Sequence, residues 1–321
     1  MALAVQLHDN ILPPRDSSLR DEALAGFAAS PKHLSPKFFY DRRGSELFEQ
    51  ICLQPEYYLT RTEEAILADA ADEIRQIVGP QSNLIELGSG ASRKVRLLLE
   101  RLRPASYLGI DISEDFLLDS TRRLAADYPW LDVHAACSDF SDHLQLPDDF
   151  ALEHPLVFFP GSSIGNFTPE QARRLLGHLH DILPAGGGVL IGVDLLKDKA
   201  TLEAAYNDRA QVTAAFNLNL LHRIRRELHS DIDPARFVHR AFFNEEQSRI
   251  EMHLVSRISQ TVALEGQLFR FQAGESLHSE NSYKYSVQGF IELADSAGFD
   301  SRGLWTDAGQ LFSVHYLQRC P

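Results

Sequence analysis

Three acidic residues stand at the ends of three successive apolar runs, and their spacing carries the first chemical signal. Leu84-Ile85-Glu86-Leu87 runs into Gly88-Ser89-Gly90, SYLGI ends in Asp111, and LDVHAACS ends in Asp139-Phe140. Glycines after a buried strand let a ligand approach the backbone where a side chain would block it. A carboxylate about 20 residues further on can accept both hydroxyls of a ribose. An Asp followed by Phe offers an acceptor for an adenine amino group and a flat face for its ring. Each feature alone is compatible with an ordinary tight turn. The ordered set points to a nucleoside cofactor. Arg93 stands where the dinucleotide fingerprint has its third glycine, which favours S-adenosylmethionine over NAD or FAD.

A second set of residues suits a small cationic or amphoteric substrate. Asn166, in the loop PGSSIGNF, carries an amide oxygen that can accept from an amine without adding charge. Tyr40, Tyr57 and Tyr206 offer hydroxyls for a carboxylate and ring faces for a cationic nitrogen. Glu280 and Ser282 lie two apart, so in a strand they share one face and can grip both nitrogens of an imidazole. A loop-capping Asn, half-buried packing tyrosines and a polar edge strand are the alternative readings. The thirteen histidines form no HExxH cluster and the three cysteines no ligand spacing, so no metal is expected. Arg223, Arg225 and Arg226 read as a solvated helix face, and His222, His229 and His278 as surface or core residues.

The elements that must position these residues follow from periodicity. From residue 83, short apolar strands alternate with amphipathic helices, for example KVRLLLERL, EDFLLDSTRRLAADY and PEQARRLLGHLHDIL. That rhythm predicts an α/β doubly wound, Rossmann-like, mostly parallel sheet; the class I methyltransferase form of it is what an S-adenosylmethionine cofactor implies. Helices are expected over 21–30, 62–78, 199–229 and 286–297, and a helix follows the aromatic turn SPKFFYD. Antiparallel strands are expected over 236–272 and a final hairpin over 300–319 at the sheet edge. Residues 1–20, with Pro13-Pro14, read as irregular. The cofactor-binding core is therefore placed at 60–195 plus 290–321. A discontinuous α+β substrate domain is placed at 8–59 plus 196–289.

The sequence also resembles one enzyme family. GSGASRK and PGSSIGNFTP are similar to the histidine-specific methyltransferases of ergothioneine biosynthesis, and so are SPKFFYDRRGSELFEQI, PEYYLTRTE, DLLKD, AYND, FNLNLL, RIEMHL and GESLHSENSYKYS. The resemblance covers nearly the whole chain. It implies S-adenosyl-L-methionine as cofactor and trimethylation of the α-amino group of L-histidine to hercynine. By motif it implies cofactor contacts at Gly88, Lys94, Asp111, Asp139 and Phe140. It implies substrate contacts at Tyr57, Asn166, Tyr206, Met252, Glu280 and Ser282, with Tyr40 lining the same pocket. Where smaller apolar residues are expected around Glu280, this chain carries His278, Asn281 and Tyr283. Another aromatic or heteroaromatic amino acid as substrate, or a non-catalytic cofactor-binding protein, stays open at this point.

Bulk properties set the outer bounds. Acidic residues outnumber Lys and Arg by 45 to 31, a net charge of -14, which argues against nucleic acid and anionic membranes. No apolar run is long enough to span a bilayer, and the N-terminus lacks the basic start and long apolar stretch of a signal peptide. A cytoplasmic monomer with a small amino-acid substrate is the expectation.

Overall fold

The computed structural model describes residues 5–8, 18–140, 144–147 and 149–320. Pro13-Pro14 lies outside them. The chain divides into two compact units. The first comprises Met1–Pro13, Leu59–Leu196 and Lys284–Pro321, and the second Pro14–Tyr58 and Lys197–Tyr283.

The first unit is built on an eight-stranded sheet in the order Gln6–Leu7, Asp132–Cys137, Ser106–Asp111, Asn83–Leu87, Pro155–Phe159, Gly188–Asp194, Phe312–Arg319, Phe299–Thr306. The first six strands pair in parallel, and the last two form an antiparallel hairpin at the edge. Asn83–Leu87 and Pro155–Phe159 are buried along their whole length, as parallel strands covered on both faces must be. Helices Val95–Leu102, Glu114–Asp127 and Pro169–Ile182 connect the strands. The last starts at a reciprocal cap in which the Thr168 hydroxyl accepts from Gln171 N–H and the Gln171 amide oxygen accepts from Thr168 N–H. The fold class is the one that the alternating pattern predicts. Residues 6–7 depart from the irregular reading of the N-terminus. They pair with His134 and Ala135.

The second unit has a four-stranded sheet in the order Lys32–His33, Ser276–Tyr283, Arg249–Ser256, Phe237–Asn244. A separate hairpin, Gln260–Leu264 with Gln267–Phe271, turns at Glu265-Gly266, both with positive φ as a two-residue hairpin of that type requires. Helices Leu19–Ala28, Arg42–Cys52, Lys199–Tyr206 and Val212–Glu227 complete it. The single helical stretch expected over 199–229 is broken. Asp208 accepts the N–H groups of Val212 and Thr213, at 2.8 Å each, and so starts a second helix. The arginine face expected to be solvated is largely engaged. Arg226 pairs with Asp41 at 2.7 Å and Arg223 donates to the Phe38 carbonyl at 3.0 Å. Arg225 and Arg226 are both exposed, in keeping with the solvated reading, and Arg223 is half-buried.

Candidate functional site

In the first unit the strand ends gather at one rim. Gly88 and Gly90 have φ of +66° and +48°, in the left-handed region that L side chains avoid. A Cβ on Gly88 would meet only the Cζ of Phe140, at 3.8 Å. The turn after the first core strand therefore faces the aromatic ring that follows the third. Asp111 ends the second of these strands and fastens the same turn, accepting from Gly90 N–H at 2.8 Å and from Ser113 N–H at 2.9 Å. Burial raises the Asp111 carboxyl above its ordinary range, and those backbone donors oppose the rise. Asp139 is half-buried just beyond Asp132–Cys137.

Lys94 lies next to the loop that follows Pro155–Phe159. A Cβ on Gly161 would sit 3.4 Å from its Nζ. That loop continues through a 3-10 turn, Ser163–Asn166, which leaves Asn166 half-buried. The Ser162 hydroxyl accepts from Asp194 N–H at 2.9 Å and ties the loop to the neighbouring strand. Backbone open to close approach, an acidic strand end and a nearby ammonium fit a nucleoside that carries an amino-acid tail.

Sequence reasoning placed Glu86 at a strand end without its partner and missed Glu63; both acids lie buried behind this rim. Glu86 is 1% exposed and accepts from the Tyr107 hydroxyl at 2.6 Å. Burial pushes its carboxyl up to about 8, with the Tyr107 hydrogen bond and Lys94 acting against the rise. Glu63, on helix Tyr58–Val78, is fully buried and holds Lys94. The visible signal was an isolated glycine, Gly192, inside an apolar strand. Such a glycine marks a close approach, and a Cβ there would fall 2.0 Å from a Glu63 oxygen.

The second unit brings together the tyrosines and the strand Ser276–Tyr283. Tyr57 and Tyr206 are buried with ring centroids 6.2 Å apart, and the Tyr206 hydroxyl donates to Ser282 Oγ at 2.8 Å. Glu280 lies opposite Met252 and Ser282 opposite Ile250 in the ladder, so Glu280 and Ser282 share a face. Burial lifts the Tyr57 hydroxyl well above its ordinary value, with Tyr206, Cys52, Tyr40 and Glu280 adding through space. Tyr40 packs edge-on against Phe48 and Phe216, each at 5.8 Å.

A polar network that the sequence did not announce holds this cluster. His239 bridges the Tyr206 carbonyl and the Asn217 amide, each at 2.9 Å, and burial lowers its pKa. Asn217 Oδ1 accepts from Ser279 Oγ at 2.8 Å, and the same hydroxyl reaches the Met252 carbonyl at 3.0 Å. Asp41 accepts from Gly44 N–H, Asn219 and Arg226. Burial pushes its carboxyl upward, yet these donors hold it below the ordinary range.

His278 and Tyr283 belong to another cluster of this unit, and Asn281 stands opposite Glu251 in the ladder. Glu251, His253 and His278 each put a ligand atom within 4.8 Å of the others. The Glu251 carboxylate already receives two donors of Arg249, at 2.7 and 2.9 Å, and one of Asn244. The His253 and His278 rings stack at 4.5 Å with 14° between planes, so their lone pairs run side by side and do not converge. Tyr283 joins through Arg249. This is the wiring of an ion-pair ladder, whereas a metal centre needs converging ligands.

With both sets of residues described, the relatives decide the family. Residues 19–319 match the model of the family described as histidine-specific methyltransferase, SAM-dependent. The chain belongs to that family. This methyltransferase is 41% identical over 310 residues to the histidine N-alpha-methyltransferase of Mycolicibacterium smegmatis, covering 94% of the chain and 95% of the relative. It is 38% identical over 305 residues to the protein of that name from Mycobacterium tuberculosis, covering 92% and 94%. It is 30% identical over 299 residues to ergothioneine biosynthesis protein 1 of Neurospora crassa, covering 90% of the chain and 33% of that longer relative. It is an enzyme, its cofactor is S-adenosylmethionine and its substrate is a small amino-acid-like molecule. Among the described residues, no helix is long and apolar enough to cross a membrane.

Proposed function

We propose that this methyltransferase methylates the α-amino nitrogen of L-histidine, up to three times, to give hercynine. The observation that carries this reading is the buried cluster in which Tyr206 hydrogen-bonds Ser282 beside the face that bears Glu280. When bound, the cofactor supplies an activated methyl group on a sulfonium. The protein then contributes alignment, which offsets on the order of 7–11 kcal/mol of barrier in well-oriented reactions.

In this reading Gly88 and Gly90 present open backbone to the nucleoside. Asp111 accepts its ribose hydroxyls, Asp139 and Phe140 engage the base, and Lys94 meets the carboxylate of the tail. Asn166 accepts a hydrogen of the substrate amine and so orients its lone pair. No strong base is needed. With an α-amino pKa near 8, about a tenth of the amine is already neutral at pH 7. Tyr57 and Tyr206 hold the substrate carboxylate, Tyr40 and Met252 flank the ring, and Glu280 with Ser282 binds the imidazole nitrogens. A buried carboxylate left unpaired is costly, so an amino acid without those nitrogens is rejected. The enzyme acts as a cytoplasmic monomer on the free amino acid. Light scattering during size exclusion tests the monomer.

The decisive experiment titrates S-adenosylhomocysteine and then L-histidine into the purified protein, with mass spectrometry of turnover. Products heavier by one, two or three methyl groups are expected. No methylated product rejects the reading. Glu280→Ala should cut histidine turnover while tryptophan remains a non-substrate. Unchanged histidine turnover would move the substrate to another aromatic amino acid.

A further inference from the structure

One carboxylate in the first unit is wired to several segments of the rim. Glu63 is fully buried on helix Tyr58–Val78. Its Oε2 receives the Lys94 ammonium at 2.5 Å. Both its oxygens accept the Gly161 N–H, at 3.0 and 2.9 Å. Gly161 opens the loop that leads to Asn166, and its φ of +81° is one that glycine adopts without strain. Strand Gly188–Asp194 makes room for the carboxylate by carrying Gly192, whose Cβ would fall 2.0 Å from Oε1 and 2.9 Å from Cδ. Three segments far apart in sequence thus meet on one side chain: the residue after the glycine turn, the loop after Pro155–Phe159 and the neighbouring strand.

We infer that Glu63 is a positioning residue for cofactor binding. It fixes the Lys94 ammonium and the Gly161 amide in one arrangement before the cofactor arrives. The physical reason is the balance of charge and reach. A half-buried lysine on four rotatable bonds spends rotamer freedom when it meets a ligand carboxylate, unless another group has already fixed it. A carboxylate with a second donor on it, walled in by a strand that lacks a Cβ, cannot swing away. The inference rests on the assignment of Lys94 to the cofactor, and it is independent of which amino acid is methylated.

The test is a double-mutant cycle read by titration of S-adenosylhomocysteine alone, with thermal melting alongside. Glu63→Gln keeps an acceptor for Gly161 and removes the counter-charge of Lys94. Gly192→Ala keeps Glu63 and displaces its carboxylate. Each should weaken S-adenosylhomocysteine about ten-fold or more, as should Lys94→Met, in keeping with loss of a charge-assisted contact. Glu63→Gln combined with Lys94→Met should bind no more weakly than Lys94→Met alone, because the two act as one unit. The pair should also melt above Glu63→Gln, which leaves the half-buried Lys94 ammonium beside a neutral amide in place of its carboxylate. In turnover, Glu63→Gln should raise KM for S-adenosylmethionine more than it lowers kcat.

Wild-type affinity in Glu63→Gln overturns the inference. So does an equal loss on adding Glu63→Gln to wild type and to Lys94→Met, since that is how a merely structural residue behaves. Wild-type affinity in Lys94→Met overturns the assignment of Lys94, and the inference with it. Failure to methylate histidine, with the cycle behaving as described, rejects only the substrate reading.

Discussion

The two units arrange their functional residues by different means. In the first, the candidate cofactor residues sit on backbone turns at the ends of adjacent parallel strands, and glycine conformations and backbone N–H groups do much of the shaping. In the second, the candidate substrate residues come from five separated segments, and side-chain hydrogen bonds do much of the holding: Tyr206 on Ser282, His239 on Asn217, Asn217 on Ser279. A turn at a strand end is specified locally by a handful of consecutive residues. A side-chain network is specified only when distant segments have packed. The first arrangement should therefore be brittle to backbone changes at single glycines. The second should be brittle to loss of a single polar partner.

The sharpest way to break this contrast is Gly88→Val. A β-branched residue at φ +66° carries strain on the order of 1–3 kcal/mol. It also adds bulk beside Phe140. S-adenosylhomocysteine affinity should fall by up to about 100-fold, at 1.4 kcal/mol per ten-fold, with the melting of the second unit's network unaffected. Titration calorimetry reads it. Unchanged affinity would mean that the turn does not carry the cofactor.

Asn217→Ala is the matching test in the second unit. It leaves His239 and Ser279 without their shared partner, at a cost of about 1–3 kcal/mol of stability. The melting temperature should drop and KM for the amino acid should rise, while S-adenosylhomocysteine affinity stays within two-fold of wild type. A parallel fall in cofactor affinity would show that the two regions are not separable. Tyr206→Phe is milder. It removes one hydroxyl, which bonds Ser282 and is assigned to the substrate carboxylate, so KM for histidine should rise about two- to ten-fold, as one hydrogen bond of 0.5–1.5 kcal/mol predicts.

A test of a different kind, read in stability against pH, belongs to Glu86. Its carboxyl is raised from 4.5 to about 8 in the folded protein. Between those values the folded state binds more protons than the unfolded one, so this group's contribution to stability declines as pH rises through the window and is gone above about 8. Glu86→Gln should flatten the loss of melting temperature between pH 6 and 9 by a few degrees. A wild-type pH profile in the variant would show that Glu86 titrates normally.

Much of this protein was readable from its sequence because the decisive signals are local. Strand–glycine–helix rhythm specifies the parallel sheet, since a buried strand, a tight turn and an amphipathic helix are each encoded by neighbours in the chain. The acidic residues at 111 and 139 could be placed at strand ends for the same reason. What only tertiary structure decided is which distant groups share a proton or a charge. Glu63 beside Lys94 and Gly161, Glu86 beside Tyr107, and Asn217 between His239 and Ser279 are separated by 21 to 98 positions along the chain wherever their bonds are formed. Helix 199–229 was misread because one aspartate, Asp208, offered its carboxylate to two amides and began a new helix. His278 was read as a surface or core residue, and its stacking partner, His253, stands on the neighbouring strand, out of reach of sequence spacing. Periodicity reports which side of an element faces inward, but the identity of the group waiting there is set only when the elements close on one another.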